Sequence, residues 1–378
     1  MHVPDGFINA PVSVATGAVA AVAVAVSLRG ARRELEGAGQ GGSGAGADRT
    51  APLAGLVAAF IFAVQMLNFP VAAGTSGHLL GGALAAILVG PYTGVLCVSV
   101  VLLMQGVLFA DGGLTALGVN ITDMAIVTTV VAYAVFRGLV KVLPRSRRSV
   151  PVASFVSALI SVPAAAVAFT AMYALGGTAD VSIGKVFTAM VGVHVLIGIG
   201  EAAITALTVG AVIAVRPDLV YGARGLAKPL ELRTSPLDVP APGTDDVTTA
   251  AREAEPVASA PAAPAPRRSV RGVWLAGVAT ALVCAGGISY YASANPDGLE
   301  KVAHDQGIDK KTQEHAGKDS PLADYSVKDI TNARLSGGLA GVIGVGATLA
   351  VGTGVFVVLR RRKALGTGEA ADASGGLV

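Results

Sequence analysis

The chain has 378 residues, 53% of them hydrophobic and only 14% charged, with a mean hydropathy of +0.65. That composition excludes an ordinary soluble domain, and a net charge of +3 over this length makes no case for a nucleic-acid partner. Two cysteines, Cys97 and Cys284, both within apolar runs, exclude a disulfide framework and a thiolate zinc site.

Runs apolar enough to cross about 30 Å of hydrocarbon predict helices over 11–28, 53–69, 79–90, 94–110, 121–136, 150–175 and 186–215. Two more follow over 272–292 and 335–359. The third run is short for a crossing and reads as a broken or re-entrant element leading into the fourth. The expected fold is all-α: a polytopic transmembrane bundle of about seven spans over 1–216, then a two-span module over 271–363. Residues 37–50, rich in Gly and Ala, read as a flexible loop. Residues 234–270 combine Pro, Ala, Ser and acidic side chains with few large apolar ones, so a disordered cytoplasmic linker is expected, drawn over 217–270, and 364–378 read as a cytoplasmic tail. The two membrane modules are expected to be joined by that cytoplasmic string.

Basic residues cluster at Arg29, Arg32 and Arg33; at Arg137, Lys141, Arg145, Arg147 and Arg148; at Arg216, Arg224 and Lys228; at Arg267, Arg268 and Arg271; and over 360–363. Counting spans puts every cluster on one side. The positive-inside rule makes that side the cytoplasm of a multi-pass cell-membrane protein, with Met1 outside and Val378 inside. The first residues lack the basic stretch of a secretory signal, so the terminus is expected to stay uncleaved, and the bulk of His2 favours retention of Met1.

That terminus carries the first chemical signal. The Met1 α-amine, the His2 amide nitrogen and a His2 ring nitrogen can close two adjoining chelate rings, supplying three of four in-plane nitrogens of the kind Ni(II) and Cu(II) favour. The segment QMLNFPVAAGTSGHLLGG, 65–82, emerges on the same side. Pro70, Gly74 and Gly77 interrupt its helix, so Thr75, Ser76 and His78 sit on irregular backbone that must be buried or line a cavity. His78 is the candidate fourth nitrogen, with a hydrogen-bonded interfacial histidine as the alternative.

MHVPDGF at 1–7 together with NFPVAAGTSGHLLGG at 68–82 resembles the nickel-type substrate-capture membrane protein of energy-coupling factor (ECF) transporters, close kin of the cobalt-type protein. The resemblance runs to about residue 216. It implies that Met1, His2 and His78 hold the metal and that Ni(II) is the transported substrate, Co(II) for cobalamin synthesis being the alternative. It further implies no organic cofactor and no enzymatic activity in this chain. Uptake would be driven by an ECF transmembrane coupling protein and cytoplasmic ATPase subunits of an ABC-type system. Asn295–Glu300, NPDGLE, resembles a segment of the small accessory N component of nickel and cobalt uptake systems, although Pro-Asp-Gly also suits a plain surface turn. No residue of that loop is assigned a ligand role.

Other polar residues have supporting roles as candidates. Gln65 and Asn68 flank the metal segment and are placed to orient His78 or the opening strand, or to cap helices. Asp111, Asn120 and Asp123 surround FADGGLTALGVN, a glycine-rich outer loop expected to pack over the site. His194 and Glu201, seven positions apart, share one face of the seventh span and are candidates for the metal path or a partner contact, against a buried structural pair. His304 and His315, in the outer loop of the second module, read as solvated loop histidines, with transient gathering of metal as the alternative. GGTADVSIGKV, 176–186, has the wrong spacing for a phosphate-binding loop. The run GGLAGVIGVG, 337–346, reads as a helix-contact surface, with Gly337 and Gly341 at the required spacing, and Ala21 and Ala25 at four-residue spacing suit either part of the coupling-protein contact or plain bundle packing, membrane lipid being the remaining partner. A gradient-driven carrier is the rival class, but the sequence has no clear internal repeat. A hydrolytic metalloenzyme is disfavoured because a filled nitrogen plane leaves no in-plane position for water.

Overall fold

Inside hydrocarbon a backbone can pair its amides only within itself, so the long uncharged runs of this sequence become helices. The computed structural model describes residues 1–37, 47–72, 74–144, 146–224 and 270–372. The helices are α1 (Ala10–Gly37), α2 (Ala47–Gln65), α3 (Gly82–Val89), α4 (Pro91–Leu108) and α5 (Leu117–Asn120), the last continuing through a π-helical turn, Ile121–Val127, into α6 (Thr128–Val142). There follow α7 (Ser149–Gly176), α8 (Ile183–Val215), α9 (Arg271–Gly286), α10 (Gly298–Gln306) and α11 (Ala333–Asp372). Two short strands, β1 (Phe69–Pro70) and β2 (Ser76–Gly77), pair antiparallel, with Phe69 opposite Gly77.

Seven stretches among the described residues are long and apolar enough to cross a membrane. Two of the nine expected runs fall short of that. The apolar part of α2 is Pro52–Gln65, because the chain leaves the helix to enter β1. Helix α3 has eight residues, all buried, and is delimited by Gly81 and Gly90 at φ +92° and +102°. Gly90 serves a close approach: a Cβ there would lie 2.6 Å from the Glu34 carboxyl carbon. Glu34 of α1 accepts from the Tyr92 and Thr93 amides at 3.1 and 2.8 Å, so it caps α4 from another helix.

Besides the linker that joins them, the two modules share packed side chains. Ala281, Cys284, Ala340, Val345 and Phe356 belong to the same buried cluster as Phe62 and Leu84. The small residues of α11 allow this. Across the junction a Cβ on Gly344 would collide with the Phe62 ring of α2, and one on Gly55 of α2 with Thr353 of α11, while within the second module one on Gly341 would lie 2.5 Å from the Ala285 carbonyl oxygen of α9. Of the expected pair only Gly341 is at a tight crossing, since Gly337 has nothing nearer than the Tyr325 carbonyl at 3.7 Å.

Residues 217–224, expected in the linker, instead fold onto the bundle as two 3-10 turns, with Val220 fully buried and Gly222 against Phe136 and Ile87. The rest of the expected linker, 225–269, lies outside the described residues, as do 38–46 of the Gly-rich loop, residues 373–378 of the tail, Arg145, Lys228, Arg267 and Arg268. Helix α1, 28 residues long, spans about 42 Å at 1.5 Å per residue. The opening strand lies before its first turn and Arg29, Arg33 and Glu34 lie near its last, so these groups occupy opposite ends of the bundle.

Gly341→Leu is expected to lower the unfolding free energy by about 1–3 kcal/mol by forcing α11 off α9. A thermal melt of the detergent-solubilised chain checks this, and an unchanged midpoint would mean the crossing is looser than described.

Candidate metal centre

Chain termini usually fray, yet Met1 is 2% exposed and Val3 is fully buried. Side chains hold the opening strand down. Asn120 accepts from the Val3 amide at 2.7 Å and donates to the Val3 carbonyl at 3.1 Å. Gly113 N donates to the same carbonyl at 2.8 Å. The Asp5 carboxylate accepts from Thr115 N at 2.8 Å and from Thr115 Oγ1 at 2.5 Å, which ties the strand to the glycine-rich loop. Gly113 is required there, because a Cβ would strike the Asp5 backbone. Beyond Asp5, Thr178 N donates to the Phe7 carbonyl at 3.1 Å and Asn9 N to that of Gly176 at 2.7 Å.

So fixed, the Met1 amine reaches His78 Nε2 at 2.6 Å and donates to Asp297 Oδ2 at 2.7 Å. His78 Nδ1 lies 3.0 Å from the Leu79 carbonyl, which can only accept, so Nδ1 carries the proton and the Nε2 lone pair faces the amine. The His2 ring stacks on His78 with centroids 5.1 Å apart. Burial pushes the His2 imidazole down to about 4, keeping it neutral near pH 7. Its Nε2 meets Gln105 Oε1 at 3.0 Å; donation there leaves the lone pair on Nδ1, the nitrogen that closes a six-membered ring with the His2 amide. Asp111 Oδ1 is 3.4 Å from that Nδ1 and its other oxygen accepts from the Tyr325 hydroxyl at 2.6 Å. His2, His78 and Asp297 each present a ligand atom within 4.8 Å of the others.

Asp297 belongs to NPDGLE and is the group that sequence reasoning missed. Burial opposes its ionisation, but the Met1 ammonium and His78 override that and hold the carboxyl well below the usual carboxylate range. The loop is locked in place at both ends. Asp297 Oδ1 accepts from Glu300 N and Glu300 Oε2 from Asp297 N, both at 2.8 Å, a capping box that starts α10. Ser76 donates from N to the Pro296 carbonyl and from Oγ to that of Asn295, both at 2.8 Å, while Ser293 N donates to the Asn68 carbonyl at 2.7 Å. The acidic residue three before Glu300 was a readable capping signal, but its reach to the terminus, 296 positions away, was not.

The remaining candidates divide into groups that shape the site and groups outside it. Glu201 accepts from Leu80 N at 2.7 Å and Gly81 N at 3.2 Å, and Gln65 Nε2 donates to the Leu80 carbonyl at 2.9 Å. They fix the chain just after His78 without reaching the amine. Thr75 is buried in the turn of the hairpin, its amide bonded to the Ala72 carbonyl at 2.9 Å. His194 donates from Nδ1 to the Met190 carbonyl at 2.7 Å, and its Cε1 lies 3.1 Å from where a Cβ on Gly298 would stand, so it supports the NPDGLE loop from beneath. Asp123 is fully buried in the π-helical turn, with neither carboxyl oxygen hydrogen-bonded, and belongs to no ligand group among the described residues. His304 pairs with Asp309 in solvent and His315 accepts from Gly317 N. Next to the amine lies a cavity of about 620 Å³ lined by His2, His78, Asp111, Asp297 and Tyr325.

Residues 2–219 match the family described as the cobalt uptake substrate-specific transmembrane region. The chain belongs to that family. Residues 271–361 match the PDGLE domain. A relative in Archaeoglobus fulgidus that carries the provisional name of a fused nickel transport protein is 39% identical over 222 residues, 58% of this chain and 68% of the relative. The fused nickel transport protein of Rhodobacter capsulatus is 38% identical over 136 residues, 36% of each chain. The cobalt transport protein of Sorangium cellulosum is 34% identical over 174 residues, 45% of this chain and 76% of that protein. With its apolar spans, this member of the cobalt uptake family is a multi-pass membrane component of a transition-metal transport system.

Asn120→Ala leaves the Val3 amide without its partner, at a cost of about 1–3 kcal/mol where buried, while the Val3 carbonyl keeps only Gly113 N. The Met1 amine is then expected to react faster with an amine acylating reagent than in the parent chain. Equal labelling rates would mean that the loop glycines alone hold the strand.

Proposed function

We propose that this chain captures Ni(II) on the outer face of the cell membrane and hands it to an ATP-driven partner. The observation that carries the reading is the 2.6 Å approach of the Met1 amine to His78 Nε2, beside a neutral His2. The ligands are the Met1 amine, the His2 amide nitrogen, His2 Nδ1 and His78 Nε2, a plane of four nitrogens suited to Ni(II). Cobalt is the alternative cargo, carried by the same site. The ion replaces protons on the terminal ammonium and the His2 amide, so capture releases protons.

Asp297 supplies the counter-charge. A divalent ion bound to one deprotonated amide keeps a single positive charge, and a buried charge requires a partner. In the metal-free site the same carboxylate balances the ammonium, which makes Asp297 the common partner of both states. Gln65, Asn68, Thr75, Ser76, Asn120, His194 and Glu201 act through the backbone that positions these donors. The basic groups near the ends of α1, α6 and α8 support, by the positive-inside rule, a reading with that end of the bundle and the C-terminus in the cytoplasm and Met1 outside. Transport then depends on an ECF transmembrane coupling protein and cytoplasmic ATPases, since this chain is read as a permease subunit and not an enzyme.

One residue inserted ahead of Met1 is expected to abolish high-affinity nickel binding in titration calorimetry while the thermal midpoint holds; undiminished affinity would remove the terminal amine from the site. Asp297→Asn keeps an N-cap side chain and removes the charge. It is expected to weaken nickel about 10–100-fold, as loss of a group that supports metal ligands does. His304→Ala with His315→Ala is expected to leave equilibrium binding nearly unchanged, and a loss like that of the Asp297 variant would place the capture site elsewhere in the loop.

A further inference from the structure

The end of the bundle remote from the metal centre carries a second cavity, of about 990 Å³, between α1, α4, α6 and the turn at Tyr221–Ala223. Arg29, Arg33, Arg137 and Arg224 reach into it, with Tyr92, Tyr133 and Tyr221 among them. One carboxylate, Glu34, lines the cavity with these four arginines, and both of its oxygens already accept from α4. Its Oε1 accepts from Tyr92 N at 3.1 Å, and its Oε2 from Thr93 N and Thr93 Oγ1, both at 2.8 Å. Arg224 is held over the Tyr221 ring at 4.6 Å and reaches the Glu34 carbonyl. Arg29, Arg33 and Arg137 have no ion-pair partner among the described residues.

The cavity changes character along the helices that form it. On α1 the lining runs from Ala23 and Val26 to Arg29 and Arg33, and on α6 from Val130 and Ala134 to Arg137, in steps of three or four residues. Each row therefore follows one helix face, apolar toward the middle of the bundle and basic at its end. Val26 and Val130 are 46% and 55% exposed, so the apolar part opens sideways. A ligand that fits must be anionic at one end and apolar at the other. Guanidinium forks suit phosphate oxygens, and tyrosines suit the headgroup level of a membrane.

We propose that this notch binds an anionic phospholipid, its phosphate among Arg29, Arg33, Arg137 and Arg224 and its acyl chains along the Val26 and Val130 rows. The bound lipid bridges α1 to α6 at the end opposite the metal centre. Basic pockets between membrane helices on the cytoplasmic side have this recognition chemistry in general.

The test is native mass spectrometry of the full chain released from vesicles of equal phosphatidylglycerol and phosphatidylcholine. The parent chain is expected to retain phosphatidylglycerol with roughly tenfold preference or more. The triple variant Arg29→Gln, Arg33→Gln, Arg137→Gln is expected to lose that preference, with its thermal midpoint in neutral detergent and its nickel affinity unchanged. The triple lysine variant, which retains the charge, is expected to keep part of the preference. Arg32→Gln, on the same helix but not lining the notch, is expected to keep all of it. Equal retention of the two lipids by the parent chain, or a preference untouched in the glutamine variant, would overturn the proposal. So would displacement of the lipid by inorganic phosphate alone, which would assign the notch to a free anion. Unchanged lipid retention with lost co-purification of a coupling protein would assign it to a protein partner instead.

Discussion

The Met1 ammonium is a cation in a buried place, and it is tolerable there only because His78 Nε2 at 2.6 Å and Asp297 Oδ2 at 2.7 Å both face it. Those contacts demand that three remote parts of the chain meet at one point: the terminus, the segment after α2, and the loop after α9. Much of the outer end of the molecule can be read as serving that meeting. Asn120 and Gly113 hold Val3, Asp5 holds the loop over it, Glu201 and Gln65 fix the chain beyond His78, and Ser76 holds the NPDGLE loop. None of these groups reaches the amine itself. They restrict where the donors can go, which is what a site of fixed geometry needs from its surroundings.

The same constraint gives a reason for the fused arrangement. Asp297 can balance the amine only if the PDGLE domain is seated on the first module, and the seat is made by α9 and α11 against α2, where Gly344 meets Phe62, Gly277 meets Leu56 and Gly55 meets Thr353. Close packing of glycine-bearing helices carries this contact, because lipid supplies no hydrophobic drive for helices to associate. Short α2 and α3 are consistent with it: surrounded by protein, they have no full hydrocarbon thickness to cover.

Much of this was legible in the sequence, for physical reasons that differ by element. The long uncharged runs fixed α1, α4, α7, α8, α9 and α11, since nothing else satisfies a backbone in lipid. Met1, His2 and His78 were recognisable from donor chemistry and from glycines that break a helix, and the structure brings Met1 and His78 together. The lengths of α2 and α3 were not legible, because their ends depend on what buries them. The union of the two modules was not legible from Gly337 and Gly341: Gly341 proved tight where Gly337 did not, but against α9 of its own module, and it is Gly344 that meets Phe62 of the first module. Asp297 was hidden by a local explanation. Its spacing to Glu300 accounts for a helix cap, and one of its oxygens does that work while the other reaches the terminus.

The most direct test of the central claim is X-ray absorption spectroscopy of the full chain loaded with nickel. A square-planar set of four nitrogen donors, lost when one residue is inserted ahead of Met1, is the predicted result. A six-coordinate, oxygen-rich spectrum, or one unaltered by that insertion, would contradict the account.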